Sequence, residues 1–138
     1  MSSPFLIGIA GGSASGKSTF VQQLTALLKN SAPELSVHSI STDHYFYRDF
    51  ADIPTYTSPT FQTELLDFNH PDALNIPQLL ADLQEQSQEL ELARVILVEG
   101  HLLFYYEALR NQFDLRIFID LDGETRALRR MVRNLERP

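Results

Sequence analysis

Cysteine is absent from the 138-residue chain. This absence excludes disulfides and thiolate metal sites, so any bound metal ion has oxygen or histidine ligands. The chain also lacks an apolar run of the length that a membrane helix needs, and residues 1–8 lack the basic start and long apolar centre of a signal peptide. We therefore expect a cytoplasmic protein that does not span a membrane.

Positive charge is scarce as well, since 18 acidic and 11 basic residues give a net charge of −7. A protein that grips nucleic acid without regard to sequence needs a basic face, so that function is disfavoured. Five basic residues nevertheless fall within the last thirteen positions: Arg126, Arg129, Arg130, Arg133 and Arg137. Such a cluster suits a small polyanion. Because Arg126, Arg130, Arg133 and Arg137 lie three or four residues apart, they are expected to share one helical face and could close over a transferring phosphate. A solvated helix face paired with Glu124 or Glu136 is the alternative.

The pattern of apolar residues predicts a single α/β domain over residues 1–138. Apolar runs indicate four buried strands, and helical spacing indicates four helices after them. This alternation is typical of a parallel sheet with helices on both faces and right-handed crossovers. The segment between Tyr45 and Pro71 has no sustained period and predicts a long loop with about one helical turn. The predicted strands are 5–10, 37–41, 94–98 and 115–120, and the predicted helices begin near residues 17, 77, 105 and 124.

A glycine-rich stretch lies between the first predicted strand and the first helix, where it matches the P-loop pattern G-x-x-x-x-G-K-[ST]. Its glycines let successive backbone N–H groups point at phosphate oxygens, and the helix N-terminus adds positive charge behind them. Lys17 would reach the β- and γ-phosphates, and the Ser18 hydroxyl would bind Mg²⁺. The alternative is a plain strand-to-helix turn. The predicted nucleotide-binding residues are Gly11, Gly12, Ser13, Ala14, Ser15, Gly16, Lys17, Ser18 and Thr19.

Two acidic residues follow predicted strands, and the carboxyl ends of parallel strands line the ligand crevice of an open sheet. Asp43 could take the proton of an acceptor hydroxyl or hold a Mg²⁺-bound water, and a turn or cap aspartate is its alternative. Glu99 stands where an acidic residue meets Mg²⁺ beside a P-loop, unless it is simply solvated. A P-loop alone does not separate a kinase from a GTPase, an ATPase or a motor.

The side chains near Asp43 are aromatic. Phe46 is a candidate for stacking on a base or sugar, whereas Tyr45 and Tyr47 are expected to anchor the loop to the core. The four histidines do not have the spacing of a metal site, so they are predicted to be polar loop or cleft residues.

In this order the motifs resemble the uridine kinase family and, more distantly, nicotinamide riboside kinases and phosphoribulokinase. Four segments carry the resemblance: 7–19, 43–46, 69–73 and 98–103. It implies an ATP-dependent phosphotransferase of the P-loop fold that uses Mg²⁺ and phosphorylates the 5′-hydroxyl of uridine or cytidine. The implied roles are a catalytic base (Asp43), a Mg²⁺ site (Ser18 and Glu99), base stacking (Phe46), ribose contact (Arg130) and lid arginines on the ATP phosphates (Arg133 and Arg137), with Lys17 and Arg133 serving catalysis.

The sequence also departs from that family. Asn69, a predicted substrate-binding residue, stands where the family has an aspartate that holds the sugar hydroxyls, and an amide can both donate and accept. The connection 84–94 is short, as in nicotinamide riboside kinases, which lack the family's pyrimidine-recognising hairpin. The family continues past Pro138 with further helices and a last strand. A nicotinamide riboside or pantothenate-type kinase and a nucleotide-binding domain without catalysis therefore stay open, as does a homo-oligomer.

Overall fold

The computed structural model describes residues 3–12, 14–88 and 94–136. Three short 3₁₀ turns, at Thr42–Tyr45, Phe50–Asp52 and Pro71–Ala73, lie among the regular elements. In chain order these are β1 (Phe5–Gly11), α1 (Lys17–Ser31), β2 (Ser36–Ser41), β3 (Thr55–Thr57), β4 (Glu64–Leu66), α2 (Ile76–Ser87), β5 (Arg94–Gly100), α3 (Glu107–Arg110), β6 (Leu115–Ile119) and α4 (Gly123–Glu136).

The four predicted strands form one sheet in the order β2-β5-β1-β6, and every neighbouring pair is parallel. The predicted α/β fold is therefore confirmed. The register places Ser41 opposite Glu99, and Ala10 opposite Gly100. As a result β1, β2 and β5 end at the same level, and the segments that follow them meet at one edge of the sheet.

The sheet has an apolar core on each face because its buried strands alternate their side chains between the two faces. On one face Ile96 and Val98 of β5 pack with Leu79 of α2 and Leu109 of α3. On the other face Val95 and Leu97 of β5 pack with Ile9 of β1 and Val21 of α1. These two cores fix the relative positions of the strand ends.

Local sequence explains where the first two helices begin. Gly16 precedes α1 with a φ of 97°, a left-handed conformation that glycine adopts without strain. Asn75 caps α2, since its side chain accepts a hydrogen bond from the Gln78 N–H at 3.2 Å. Pro77 lies in the first turn of that helix, where a missing N–H costs no intrahelical bond.

The segment between Tyr45 and Pro71 contains a short helical turn, Phe50–Asp52, as predicted, but the expectation of a loop around it was wrong because the segment also forms two strands. β3 and β4 form an antiparallel hairpin in which Thr55 pairs with Leu66 and Thr57 with Glu64. Each strand has three residues, and nearly all of their side chains are exposed. Strands this short carry no recognisable alternation, so their apolar pattern did not reveal them.

Helix α4 is strongly amphipathic, yet its apolar side is the one left in solvent. Leu128, Met131, Val132 and Leu135 are between 52% and 80% exposed. The opposite side carries the arginines and turns toward the loop between β1 and α1. Within the described ranges, no helix combines the length and the apolar composition needed to cross a membrane.

Candidate active site

The loop between β1 and α1 is a tight curl at the carboxyl end of the central strand. Ala14 and Gly16 both have positive φ angles, 61° and 97°, which turn the backbone back on itself. The Ser15 N–H donates to the Gly12 carbonyl at 3.1 Å and closes the curl. Phosphate can then be met by backbone amides and by the N-terminus of α1. Gly11 and Gly12 begin this loop, and Ser13 lies outside the described residues.

Lys17 is the first residue of α1, and its ammonium group donates to the Gly12 carbonyl at 3.0 Å. Burial lowers the pKa of Lys17 below its usual value, the carboxylates of Glu99 and Asp43 raise it, and Arg126 and Arg133 lower it. An anion bound in the curl would stabilise the ammonium form. The lysine is therefore held at the loop in a position suited to phosphate oxygens.

Ser18 and Glu99 lie side by side at the end of β5. The Ser18 hydroxyl is 3.1 Å from one Glu99 carboxylate oxygen and 3.3 Å from the other. One hydroxyl and one carboxylate are few protein ligands, but Mg²⁺ in nucleotide sites typically keeps waters and takes its remaining oxygens from phosphates. The donor set therefore fits a magnesium ion that a triphosphate helps to bind.

Asp43 lies in the 3₁₀ turn that follows β2, facing the same cleft as Lys17 and Glu99. The cap of this turn is Ser41, whose hydroxyl accepts from the Asp43 N–H at 3.2 Å. The Asp43 carboxylate is exposed and has no hydrogen-bond partner among residues 3–12, 14–88 and 94–136. It is thus available to accept a proton from a bound molecule.

Tyr45 anchors the segment that carries Asp43 and Phe46. Its hydroxyl donates to Asp82 of α2 at 2.6 Å. Burial, the hydrogen bond and the charge of Asp82 together raise the pKa of Tyr45 to about 12, so the phenol keeps its proton at neutral pH. This bond ties the turn after β2 to the body of the domain.

Two phenylalanines form the apolar end of the cleft. The rings of Phe46 and Phe68 are 5.3 Å apart and nearly perpendicular. Asn69 lies next to Phe68, and its side chain also lines the cleft. Sequence reasoning identified Phe46 and Asn69 but missed Phe68. Phe68 lies directly before the family-like segment 69–73. An aromatic edge beside an amide suits a planar ring joined to a sugar.

His101 also lines the cleft, directly after β5. Burial and the charge of Lys17 lower the pKa of its imidazole, whereas Asp43 raises it. Its Nε2 atom is buried and has no hydrogen-bond partner within the described part of the chain. The ring is thus a neutral polar wall of the cleft at pH 7, as expected for a cleft histidine.

Helix α4 supplies the arginines on the remaining side. Arg129 and Arg133 line the cleft, and Arg126 packs its guanidinium against Gly12. Arg130 is not among the residues that line it, so its predicted ribose contact is not formed by this arrangement and stays a prediction. Arg137 lies outside the described residues. The sequence placed Arg130 on the phosphate-facing side with Arg133 and gave Arg129 no role of its own, whereas Arg129 lines the cleft with Arg133 because neighbouring helical residues point about 100° apart.

These groups enclose a cleft of about 430 Å³, a size that suits a small molecule. Its lining brings together the phosphate loop, the aromatic pair Phe46 and Phe68, and the exposed carboxylate of Asp43. The arrangement can hold a triphosphate and a hydroxyl-bearing molecule next to each other. Its lining comprises Ala14, Ser15, Gly16, Lys17, Ser18, Thr19, Ser41, Asp43, Phe46, Phe68, Asn69, Glu99, Gly100, His101, Arg129 and Arg133.

Comparison with known proteins places the chain in a family. No protein-family model matches it. Uridine kinase of Chloroflexus aurantiacus is 33% identical over 153 aligned positions, which span 96% of this chain and 68% of that protein. Uridine-cytidine kinase B of Dictyostelium discoideum is 33% identical over 153 positions, spanning 96% of this chain and 59% of that protein.

Solved structures share the fold of this chain. The solved structure of a "possible uridine kinase" from Bacillus stearothermophilus superposes with a TM-score of 0.63 at 19% identity, covering 99% of this chain and 81% of that one. At that identity the likeness concerns the fold, while the relationship itself rests on the sequence matches. The chain belongs to the uridine kinase family of nucleoside phosphotransferases.

Proposed function

We propose that this protein transfers the γ-phosphoryl group of MgATP to the 5′-hydroxyl of uridine or cytidine. The observation that carries the proposal is the meeting of three groups in one cleft: the loop lysine, Lys17; the oxygen pair of Ser18 and Glu99; and the exposed carboxylate of Asp43. The names of the relatives, uridine kinase and uridine-cytidine kinase, support a pyrimidine nucleoside as acceptor. The proposal takes residues 1–138 as one catalytic domain.

In the proposed reaction Asp43 accepts the proton of the 5′-hydroxyl as that oxygen forms a bond to the γ-phosphorus. The bond from the γ-phosphorus to the bridging oxygen breaks, and its electron pair leaves with the ADP phosphates. Lys17 and the amides of the loop bind phosphate oxygens, and arginines of α4 offset the charge that develops on them. Positioning and electrostatics supply most of the rate, since no covalent enzyme intermediate is needed.

The magnesium ion would be held by Ser18 and Glu99 and would neutralise phosphate charge when bound. The aromatic pair Phe46 and Phe68 would contact the base, and Asn69 would contact the sugar hydroxyls. The contacts of Phe46 and Asn69 were predicted from the sequence. The contact of Phe68 with the base is added because its ring packs against that of Phe46. In this proposal the phosphate loop binds the donor, the side of Phe46 and Asn69 binds the acceptor, and Asp43 lines the same cleft.

A kinase for nicotinamide riboside is a second candidate, and a specific observation favours it. The connection over residues 84–94 is short in sequence, as in nicotinamide riboside kinases, which lack the pyrimidine-recognising hairpin that the resemblance to uridine kinases implies. Nicotinamide riboside carries a positive ring and the same ribose, and therefore tests how strongly the acceptor end discriminates between bases. Pantothenate, which has a primary hydroxyl but no ribose, extends the comparison.

An acceptor panel tests the proposed function. The protein is incubated with MgATP and one of uridine, cytidine, nicotinamide riboside, pantothenate or 5′-deoxyuridine, and the products are identified by ³¹P NMR and mass spectrometry. We expect uridine or cytidine 5′-monophosphate as the main product and none from 5′-deoxyuridine, which lacks the acceptor oxygen. If another acceptor were phosphorylated, that acceptor would replace uridine and cytidine as the proposed substrate. If ATP bound and no product formed, the protein would be a nucleotide-binding domain without catalysis.

A further inference from the structure

Among the residues that line the cleft, His101 has a polar side chain to which the proposed function gives no role. The other polar and charged groups of the lining belong to the phosphate loop, to the oxygen pair of Ser18 and Glu99, to the arginines of α4 or to the turn that carries Asp43, and Asn69 is assigned to the sugar. His101 lines the same cleft as the aromatic pair that would contact the base. An uncharged hydrogen-bonding group is therefore available to the acceptor.

His101 lies beside the turn that carries Asp43. A Cβ atom added to Gly100 would overlap the Thr42 side chain, so the end of β5 packs directly against that turn. Burial and the charge of Lys17 lower the pKa of the imidazole, whereas the charge of Asp43 raises it. The ring is thus within electrostatic range of both the loop lysine and the proposed proton acceptor.

The chain after His101 is tied to the segment that carries Asn69. The hydroxyl of Tyr106 donates to the carbonyl of Pro71, which is close to Asn69 in sequence. Leu103 is buried and belongs to the apolar core that β5 shares with α2 and α3. These two attachments hold the segment that begins at His101 next to the residues proposed to contact the sugar.

The two nitrogens of the His101 ring differ in exposure. Nε2 is buried and has no hydrogen-bond partner within the described residues. Nδ1 is not one of the buried unpartnered atoms and forms no hydrogen bond within residues 3–12, 14–88 and 94–136, so it is the nitrogen that a bound molecule can reach. A neutral imidazole donates from one nitrogen and accepts at the other, and its tautomer decides which. Nδ1 can therefore serve as a donor or as an acceptor.

This dual capacity suits the edge of a pyrimidine base. Uracil presents a hydrogen-bond donor at N3, whereas cytosine presents an acceptor at the same position. A carboxylate could only accept from this edge and an ammonium group could only donate to it, but a neutral imidazole can do either. One side chain can thus recognise both bases.

We infer that His101 is a specificity-determining residue, whose Nδ1 forms a hydrogen bond with N3 of the pyrimidine acceptor. The aromatic pair Phe46 and Phe68 contacts the base, Asn69 contacts the sugar, and His101 reads the polar edge of the base. The inference rests on the proposed function for the identity of the acceptor. The contact itself requires binding and not turnover.

Calorimetric titration of nucleosides tests the contact without a reaction. Uridine and cytidine are titrated into protein that is saturated with magnesium and a non-hydrolysable ATP analogue. We expect His101→Leu to bind both at least about 10-fold more weakly than the wild type, because the variant leaves the edge of the base without its hydrogen bond. His101→Asn should stay within a few-fold of wild type, since its amide places a donor and an acceptor near the position of Nδ1. The matched control is His38→Leu, at an exposed position of β2, and it should bind as the wild type does.

A methylated nucleoside identifies the atom that is contacted. The methyl group of 3-methyluridine blocks N3, so the wild type should bind it at least about 10-fold more weakly than uridine. His101→Leu should bind the two nucleosides alike, because the methyl group and the substitution remove the same hydrogen bond. The inference would be overturned if folded His101→Leu bound uridine as the wild type does, or if it kept the full preference for uridine over 3-methyluridine.

Kinetics separate recognition of the base from a role in the chemical step. We expect the KM for uridine to rise at least about 10-fold in His101→Leu, while kcat and the KM for ATP stay within a few-fold of wild type, because the contact is the same in the ground state and in the transition state. A fall in kcat at an unchanged KM for uridine would contradict the assignment, since it would place the ring at the reacting atoms.

The two proposals can fail independently. If the wild-type protein binds uridine with the expected dependence on His101 but phosphorylates no acceptor, the proposed function fails and the contact stands. If the protein is an active kinase and His101→Leu keeps the wild-type affinity and KM for uridine, only the role of His101 is lost. If the wild type binds neither uridine nor cytidine, both are overturned. Thermal unfolding of each variant checks that every comparison is made on folded protein.

Discussion

Replacing Lys17 with alanine is expected to lower kcat/KM for phosphoryl transfer by about 10³-fold or more. The ammonium group is hydrogen-bonded to the Gly12 carbonyl, within the loop whose backbone amides would hold the phosphates. Its removal leaves the carboxylates of Asp43 and Glu99 facing the phosphates with less opposing charge. Steady-state assays with the best acceptor of the panel, together with ATP affinity, measure the effect.

Lys29→Ala is the matched control for that substitution. Lys29 lies in the last turn of the same helix, is exposed, and stands about three turns from the loop. The control should retain wild-type kcat and ATP affinity. If Lys17→Ala also kept its activity within a few-fold of wild type, the loop would not be the phosphate site that the geometry describes.

Replacing Asp43 with asparagine is expected to separate binding from chemistry. The variant keeps the size of the side chain but loses the group that accepts the hydroxyl proton, so kcat should fall by about 10²- to 10⁴-fold. ATP affinity should stay within a few-fold of wild type, because the Asp43 carboxylate makes no contact with the loop among the hydrogen bonds of the described residues. Equilibrium binding and single-turnover rates measure the two quantities.

A second aspartate provides the comparison for that result. Asp52 is exposed in the 3₁₀ turn Phe50–Asp52 and does not line the cleft that contains Asp43. Asp52→Asn should therefore behave as wild type in both measurements. Equal losses of ATP binding in Asp43→Asn and Lys17→Ala would refute the role of Asp43 as proton acceptor, because they would place its carboxylate among the nucleotide contacts instead.

The first strand, the glycine-rich loop and the start of the first helix could be predicted because neighbouring residues determine all three. The apolar run of β1, the glycines and Lys17 together determine a strand, a loop and a helix start without help from distant residues. Because parallel strands end at one edge of a sheet, Asp43 and Glu99 were expected near the loop. The pairing of Ser41 with Glu99 places the ends of β2 and β5 at the same level, as this rule requires. The order of the strands in the sheet was not predicted, because strand pairing joins residues that are far apart in sequence.

The rest of the site depends on contacts that a single sequence does not encode locally. Apolar residues usually mark the buried side of a helix, so α4 would be expected to turn Leu128 and Leu135 inward. They are 62% and 80% exposed, and the arginine side faces the loop instead. The choice between Arg129 and Arg130 is set by this rotation of α4, which spacing alone cannot give. Phe68 was missed for a related reason, because its partner Phe46 is 22 positions away.

The most direct test of the account is a calorimetric titration of ATP into folded protein, with magnesium and again with excess EDTA. Ser18 and Glu99, beside the phosphate loop, would hold a magnesium ion that neutralises part of the triphosphate charge. We predict saturable binding of one ATP per chain that weakens at least about 10-fold when magnesium is chelated. If folded protein took up no ATP in the presence of magnesium, the assignment of the cleft as a kinase active site would be contradicted.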